Sequence, residues 1–370
     1  MHKNKLYYTL MSVFLGIVVG AIFLLVLGFN PLEAYKTLIL GALGRPKYIS
    51  WTIVEAVPII LTGIAVAFAF QTGVFNIGAE GQYIVGSLGA TMAAVALDLP
   101  PIIHPIVSLL AGAAMGALWG GLVGFFKAKR GVNEVISSIM LNWIGFYLSN
   151  YMLTFAFLRK PDSNYSYDIA DTASIRILDQ WKRSEEGLAF LKDNPLLRDV
   201  LNPPLHWGIL LAILIALLAV FILKKTSLGY QLKAVGFNRD AAEYGGIDIS
   251  KNIILAMAIS GGIAGLAGAV QVLGVSQRIG ILAAQQGYGF NGIAVALIAG
   301  NSPLAAIPAG LLFATLTYGG GKLNSRMDLP SEIISILIGL IVLFVAMPKL
   351  MDMIKHFFAK RKGEGGENNG

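Results

Sequence analysis

Long apolar stretches separated by short polar ones dominate the pattern along the chain. Several of them approach the roughly 20 residues that a helix needs to cross a bilayer, and they lack a polar face at helical period. The pattern predicts an all-α, polytopic membrane protein with about ten membrane segments. The predicted segments are residues 8–28, 51–70, 83–97, 103–126, 135–158, 207–223, 253–273, 290–299, 305–319 and 332–347.

Basic residues orient these segments, because short loops rich in Lys and Arg stay on the cytoplasmic side. Such residues cluster at 127–130, in the loop 224–251 and at 349–362, and Lys3 and Lys5 precede the first segment. Ten segments then place both termini and the loop 224–251 in the cytoplasm and the long loop 159–205 outside. The apolar run after Lys5 is too long for a signal-peptide core, so we expect a retained first helix.

Two short motifs occur twice in the same order, as residues 75–79 and 133–137 and again as residues 290–294 and 331–335. This order predicts a single membrane domain over residues 1–362, built from two five-segment halves at about 1–158 and 206–348. An odd number of segments inverts the second half, an architecture in which solute binds near the midplane where the halves meet. Chance resemblance between short apolar motifs is the alternative. The tail at 363–370, all Gly, Glu and Asn, is expected to be disordered.

A polar break at residues 71–82 separates the second segment from the third. Backbone groups freed at membrane depth need partners, and an ionisable residue there is a functional candidate. The matching break near Asn291 favours a pathway lining over the alternative, a short cytoplasmic turn with its glutamate in water. Gln271 and Gln277 could each bond a solute or a neighbouring helix. The candidate pathway residues are Phe75, Asn76, Glu80, Gln82, Phe290 and Asn291.

Glycine spacing predicts where helices approach closely. Glycines recur every four residues on the fourth segment, and two more lie four apart on the seventh. Such ridges allow backbones to touch, so we expect packing surfaces there rather than solute contacts. The glycines are Gly112, Gly116, Gly120 and Gly124 on the fourth segment and Gly261 and Gly265 on the seventh.

The cytoplasmic loop 224–251 is amphipathic and too polar to span a membrane. Loops this long that carry a helical pattern are usually functional. Its small residues would let another protein approach closely, so we expect a docking segment; the alternative is a solvated connection. The docking candidates are Gly236, Asn238, Ala241, Ala242 and Gly245.

Composition narrows the function classes. The chain is 56% hydrophobic and 13% charged, about half the charged share of a soluble domain. Its net charge of +7 is explained by Lys and Arg retained in the cytoplasm, so no nucleic-acid partner is expected. There is no cysteine, and four scattered histidines lack metal-ligand spacing. No P-loop is present, since Leu323 follows the only Gly-Lys pair, so we expect a chain that is not an enzyme and holds no cofactor.

Residues 28–35, 73–82, 234–247 and 260–268 resemble the branched-chain amino acid, ribose and nucleoside permease family of ABC importers. The resemblance runs over about residues 27–348, and residues 28–35 are similar to the nucleoside branch. Residues 159–205 depart from the pattern.

The resemblance implies a bacterial plasma-membrane permease that pairs with a similar or identical permease. Two ATPases carrying ATP and Mg²⁺ would dock on residues 236–247, and a solute-binding lipoprotein would dock outside. For a nucleoside cargo, Phe75 and Phe290 could stack on the base, and Asn76, Gln82 and Asn291 could hydrogen-bond it. The alternatives are a ribose-like sugar or another small polar solute, or an ion-coupled secondary transporter, for which a docking segment has no use.

Overall fold

In a computed structural model, residues 2–346 are described; the tail predicted to be disordered lies outside this range. The described chain is α-helical with three isolated β-bridges and no sheet strand, which confirms the all-α prediction. The helices are α1 (His2–Val26), α2 (Pro31–Leu43), α3 (Pro46–Gln71), α4 (Ala79–Ala96), α5 (Ile103–Arg130), α6 (Glu134–Met152), α7 (Asp179–Arg183), α8 (Glu185–Asp193), α9 (Pro195–Leu201), α10 (Gly208–Lys225), α11 (Ser227–Phe237), α12 (Arg239–Tyr244), α13 (Ile249–Gln271), α14 (Tyr288–Ile298), α15 (Ala306–Met327) and α16 (Ser331–Ala346).

Several of these helices are long and apolar enough to cross a bilayer. Within the described residues, α3, α5, α10 and α13 with its π-helical extension to Ser276 qualify. The pair α1–α2 makes a fifth span if Phe14–Val26 and Pro31–Leu43, bent by 120°, count as one. The chain is therefore a polytopic membrane protein, while ten segments and two inverted halves stay predictions.

The bend between α1 and α2 has a local cause. Gly28 adopts a left-handed φ of +82°, which ends α1. Asn30 then accepts a hydrogen bond from the Leu32 amide (3.0 Å), and Pro31 occupies the first position of α2. The apolar pattern alone did not predict α2, because its start is set by this turn.

The chain forms two compact units. Of the described residues, one unit comprises 2–42 and 315–346. Within it α1 packs against α16, and the Tyr35 hydroxyl donates to the Ile17 carbonyl (2.7 Å). The other unit, Leu43–Ala314, contains the two polar breaks and the docking segment.

The core of the larger unit is the antiparallel pair α5 and α13. A Cβ added at Gly112 would meet Ala269, whereas one added at Gly124 would meet Ile254, so the contacts run in opposite directions along the helices. Between them Gly116 lies against the backbone of Gly265. This confirms the predicted glycine packing surface. In lipid the hydrophobic effect does not drive helices together, so close backbone packing of this kind stabilises their association instead.

A leucine at Gly116 is expected to prevent this packing. An added Cβ would lie 2.7 Å from the Cα of Gly265, with backbone on every near side. We expect the membrane yield of Gly116→Leu to fall at least about tenfold, since overpacking of a dense core is costly. Gly121→Leu is the matched control, because a Cβ there meets only Ala258 at 3.7 Å. Equal yields of the two variants, measured by quantitative blotting, would contradict the interpretation.

Candidate functional site

The break between α3 and α4 is held by a buried side-chain network. Asn76 Nδ2 donates to Gln82 Oε1 and to Ser260 Oγ, both at 2.7 Å, and Gln82 Nε2 donates back to Asn76 Oδ1 at 3.1 Å. Ser260 Oγ in turn donates to the Ala65 carbonyl (2.7 Å). All three side chains are fully buried. The network therefore fastens the break to α3, α4 and α13 and satisfies its polar groups within the protein.

Glu80 joins the two breaks that the sequence motifs relate. Its side chain is fully buried, and its two carboxyl oxygens accept from the amides of Gly287 and Gly289, each at 2.7 Å. These amides lie at the N-terminus of α14, where backbone donors lack helical partners and a carboxylate is favoured. The Thr62 hydroxyl of α3 donates to the Tyr288 carbonyl in the same turn (2.9 Å). Glu80 thus anchors the start of α14 on α4.

The remaining predicted pathway residues lie around these anchors. Phe75 is half-buried and packs on Phe70 with ring centroids 4.8 Å apart. Phe290 is 41% exposed, and Asn291 is half-buried in the first turn of α14. At the other end of α14, Gln71 Nε2 donates to the Asn301 carbonyl (2.8 Å). The structure therefore brings the two breaks together, with Phe290 and Asn291 beside the glycine that Glu80 holds.

A polar cavity of about 310 Å³, here called the chamber, lies between α4, α6, the end of α13 and the irregular segment 276–286. None of the six predicted pathway side chains lines it. The sequence analysis did not predict this lining. Some of its residues are single polar positions in apolar helices, and the others are brought to the chamber only by the tertiary structure. Its polar residues are Tyr83, Ser87, Ser149, Tyr165, Gln271, Ser276, Arg278 and Gln286.

A cover formed by residues 159–177 closes one side of the chamber. Main-chain hydrogen bonds join the cover to the segment after α13. Ser166 N donates to Ile279 O (2.8 Å), and Ile281 N donates to Asn164 O (2.9 Å). Tyr165 and Gly280 pair as an antiparallel bridge between these two bonds. The sequence predicted only an unaligned loop here, because neither strand-like segment has a pattern of its own.

Side chains reinforce the cover. The Arg278 guanidinium lies 4.5 Å from the ring centroid of Tyr165 and 3.6 Å from Asp168. Arg176 donates to the carbonyls of Gly274 and Val275 on the π-helical turn. These contacts tie the long loop to the end of α13 at several points.

His206 ends the long loop just before α10. Burial, and secondarily the charge of Arg176, lower the pKa of His206 to about 4, so its imidazole is neutral at physiological pH. Its Nδ1 accepts from the Gly208 amide (3.1 Å), and a bridge pairs it with Arg176.

The docking segment folds as two short helices. Asn238 ends α11 and caps α12 by accepting from the Ala241 amide (3.1 Å). Ala242 is buried beneath, while Gly236 and Gly245 are exposed. A groove of about 510 Å³ runs along this surface. The exposed aromatic side chains on these two helices are Tyr230 (70% exposed), Phe237 (88%) and Tyr244 (97%).

Gly236 also touches the first polar break. Gly73 has a left-handed φ of +74°, and a Cβ on either glycine would collide with the backbone of the other turn. Only glycine at both positions allows this approach. The docking segment and the α3–α4 break are therefore in direct main-chain contact.

Several proteins of known name are similar to this chain over most of its length, and three of them are described here. The guanosine ABC transporter permease protein NupP of Bacillus subtilis (strain 168) is 38% identical, and the match covers 93% of both chains. The nucleoside ABC transporter permease protein NupB of Lactococcus lactis subsp. cremoris (strain MG1363) is 33% identical over 98% of both. The glucose ABC transporter permease protein TsgB13 of Haloferax volcanii is 31% identical over 90% of this chain and 85% of its own.

The names of these relatives agree with the apolar membrane helices of this chain. The family described as the permease component of branched-chain amino acid transport systems matches residues 48–346, and this chain therefore belongs to that family.

Proposed function

We propose that this chain is the permease subunit of an ATP-driven importer that carries nucleosides across the bacterial plasma membrane. The observation that carries the proposal is the alignment, over 93% and 98% of this chain, with permeases named for guanosine and nucleoside transport. Residues 159–205 fall within the span of the second alignment, since it leaves only about 2% of the chain uncovered.

A sugar is the second candidate cargo. The relative named for glucose transport is 31% identical to this chain, close to the 33% of the nucleoside permease from Lactococcus. The two classes share hydroxyl-rich chemistry, so ribose competition is an essential arm of the test. An ion-coupled mechanism is disfavoured, because all three relatives are named as ABC permeases and a docking segment has no use without a motor.

The solute pathway is proposed to follow the joined breaks. Phe290 and Asn291 present partly accessible side chains there, and Phe75 lies on the α3 side. Asn76, Gln82 and Glu80 make their hydrogen bonds within the protein. We assign these three to holding the broken helices in register, which positions the pathway residues.

The groove on α11 and α12 is the proposed docking site for the ATPase. Asn238, Ala241, Ala242 and Gly245 line it, and Gly236 precedes the lining residue Phe237. Its exposed aromatic side chains suit a buried protein contact. ATP and Mg²⁺ would sit on that partner, and the Gly236–Gly73 contact would pass its movement to the first break. Both termini would then be cytoplasmic. A second permease, homologous or identical, and an external solute-binding lipoprotein would complete the assembly.

Deletion of the gene is expected to abolish uptake of radiolabelled guanosine. Excess uridine should compete in the wild type, whereas excess ribose or leucine should not. An ionophore that collapses ion gradients while cellular ATP is maintained should leave uptake intact. Competition by ribose alone would identify a sugar permease, and loss of uptake with the ionophore would favour the ion-coupled mechanism. A strain with no other guanosine importer gives the cleanest measurement.

A further inference from the structure

We infer that the chamber is the binding site for the solute during transport and that Gln271 recognises the base of this solute by hydrogen bonding. The inference rests on the proposed function, since it takes the cargo to be a nucleoside. It goes further by placing the main solute contacts not at Phe75, Phe290 and Asn291 but in a cavity that the sequence motifs do not mark.

The wall chemistry of the chamber fits a neutral polar solute with a flat face. Serines and glutamines supply donors and acceptors, and Tyr83 and Tyr165 supply aromatic surface. The Tyr83 hydroxyl is buried and forms no hydrogen bond of ordinary geometry with a described residue. Arg278 is the single charged residue in the lining. Asp168 pairs with this arginine, so the lining carries little net charge and suits a neutral solute. A nucleoside is such a solute, since it combines an aromatic base with hydroxyls and amide-like edges.

The location of the chamber supports a transport role. Its floor is the point where α13 changes from an α-helix to the π-helical turn Val272–Ser276. Such turns occur frequently at functional sites, and transporters bind solute at interrupted helices. Its volume of about 310 Å³ lies at the lower end of the range for small-molecule pockets. A single small solute would fill it.

Two glutamines at the end of α13 give a matched comparison. Gln271 is half-buried and lines the chamber, and no described residue hydrogen-bonds its side-chain amide. Gln277 does not line the chamber, and its Nε2 donates to Ser174 Oγ (2.9 Å) and to the Leu273 carbonyl (3.3 Å). Gln277 is thus engaged in holding the cover, whereas Gln271 presents a free donor and acceptor to whatever occupies the chamber.

The absence of cysteine from the chain allows a direct test by thiol labelling. Ser276→Cys places one thiol in the chamber wall, and Leu196→Cys places one on α9 at a position 74% exposed. The complete transporter in proteoliposomes is treated with a membrane-impermeant methanethiosulfonate, with and without saturating guanosine. We expect guanosine to slow labelling of Ser276→Cys by about tenfold, as for a largely occupied site, and to leave Leu196→Cys unchanged.

Second-site variants test the role of Gln271. Adding Gln271→Leu to Ser276→Cys should raise the guanosine concentration needed for protection by about tenfold, through loss of hydrogen bonds to the base. Adding Gln277→Leu should leave that concentration unchanged. Equal effects of the two leucine variants would overturn the assignment to Gln271.

Uptake separates failure of the inference from failure of the proposed function. If Ser276→Cys transports guanosine but guanosine does not protect its thiol, the chamber is not the binding site. If the wild-type transporter takes up no nucleoside, the proposed cargo is wrong. Should Ser276→Cys itself be inactive, Ser149→Cys provides a second thiol in the same wall, and absence of protection there would equally exclude the chamber as the binding site.

Discussion

Uptake by a Glu80→Ala variant is expected to fall at least tenfold relative to the wild type. The substitution leaves the amides of Gly287 and Gly289 without their acceptors in a fully buried place. An unsatisfied buried group costs about 1–3 kcal/mol, and about 1.4 kcal/mol corresponds to tenfold in an equilibrium. The loss falls on the start of α14, so the two breaks should separate before the whole unit unfolds.

A graded series distinguishes this anchoring role from a general packing effect. Glu80→Gln keeps the side-chain shape and one acceptor oxygen, so its uptake should lie between wild type and Glu80→Ala. Glu332→Ala is the control, because that carboxylate is also in the first turn of a helix, α16, but is exposed. Uptake is normalised to the amount of protein in the membrane. Wild-type uptake by Glu80→Ala would show that the anchor is dispensable.

A disulfide between Tyr165→Cys and Gly280→Cys is expected to stop transport. The two residues face each other in an antiparallel bridge, and Cα atoms in such pairs lie about 4.5–5.5 Å apart, within the range that a disulfide spans. The bond would fasten the cover to the segment after α13. If solute enters the chamber past this cover, oxidation should lower uptake by well over tenfold, and a reductant should restore it.

The controls for this experiment come from the same loop. Arg159 and Ser166 form another antiparallel bridge, but both belong to the cover itself. Oxidation of Arg159→Cys/Ser166→Cys should therefore leave uptake near its reduced value. Because the chain has no native cysteine, no other thiol competes for the new bond. Full uptake by the oxidised Tyr165→Cys/Gly280→Cys protein, with cross-linking verified by mass spectrometry, would mean that the cover does not move in transport.

The sequence predicted the helices that can be recognised from their own run of apolar residues. Apolar runs located α3, α5, α10 and α13 to within a few residues, because a bilayer demands such runs whatever their neighbours are. Glycine spacing predicted a close-packing surface on α5 and another on α13, and the structure shows that these two surfaces pack against each other. The motif match between residues 75–79 and 290–294 indicated two related breaks, and Glu80 does meet the start of α14.

Two kinds of feature were not predicted: short helices without a membrane-length apolar run, and features that depend on long-range contacts. The helix α2 follows from one left-handed glycine, and α7, α8 and α9 lie in a polar loop without membrane periodicity. Nothing local to Tyr165 indicates that it faces Gly280, more than 100 residues away, or that Gln271 has a free amide while Gln277 does not. The chamber is a space between several helices and loops, and the hydrophobic pattern of a single helix does not indicate such a space.

The contact between Gly73 and Gly236 has a mechanical consequence. A contact between side chains can absorb a displacement, because the side chains change rotamer before the movement reaches the next backbone. Here main chain meets main chain, with no rotamer to change. A displacement of α11 would therefore pass directly to the backbone of residues 72–73, without loss to side-chain rearrangement.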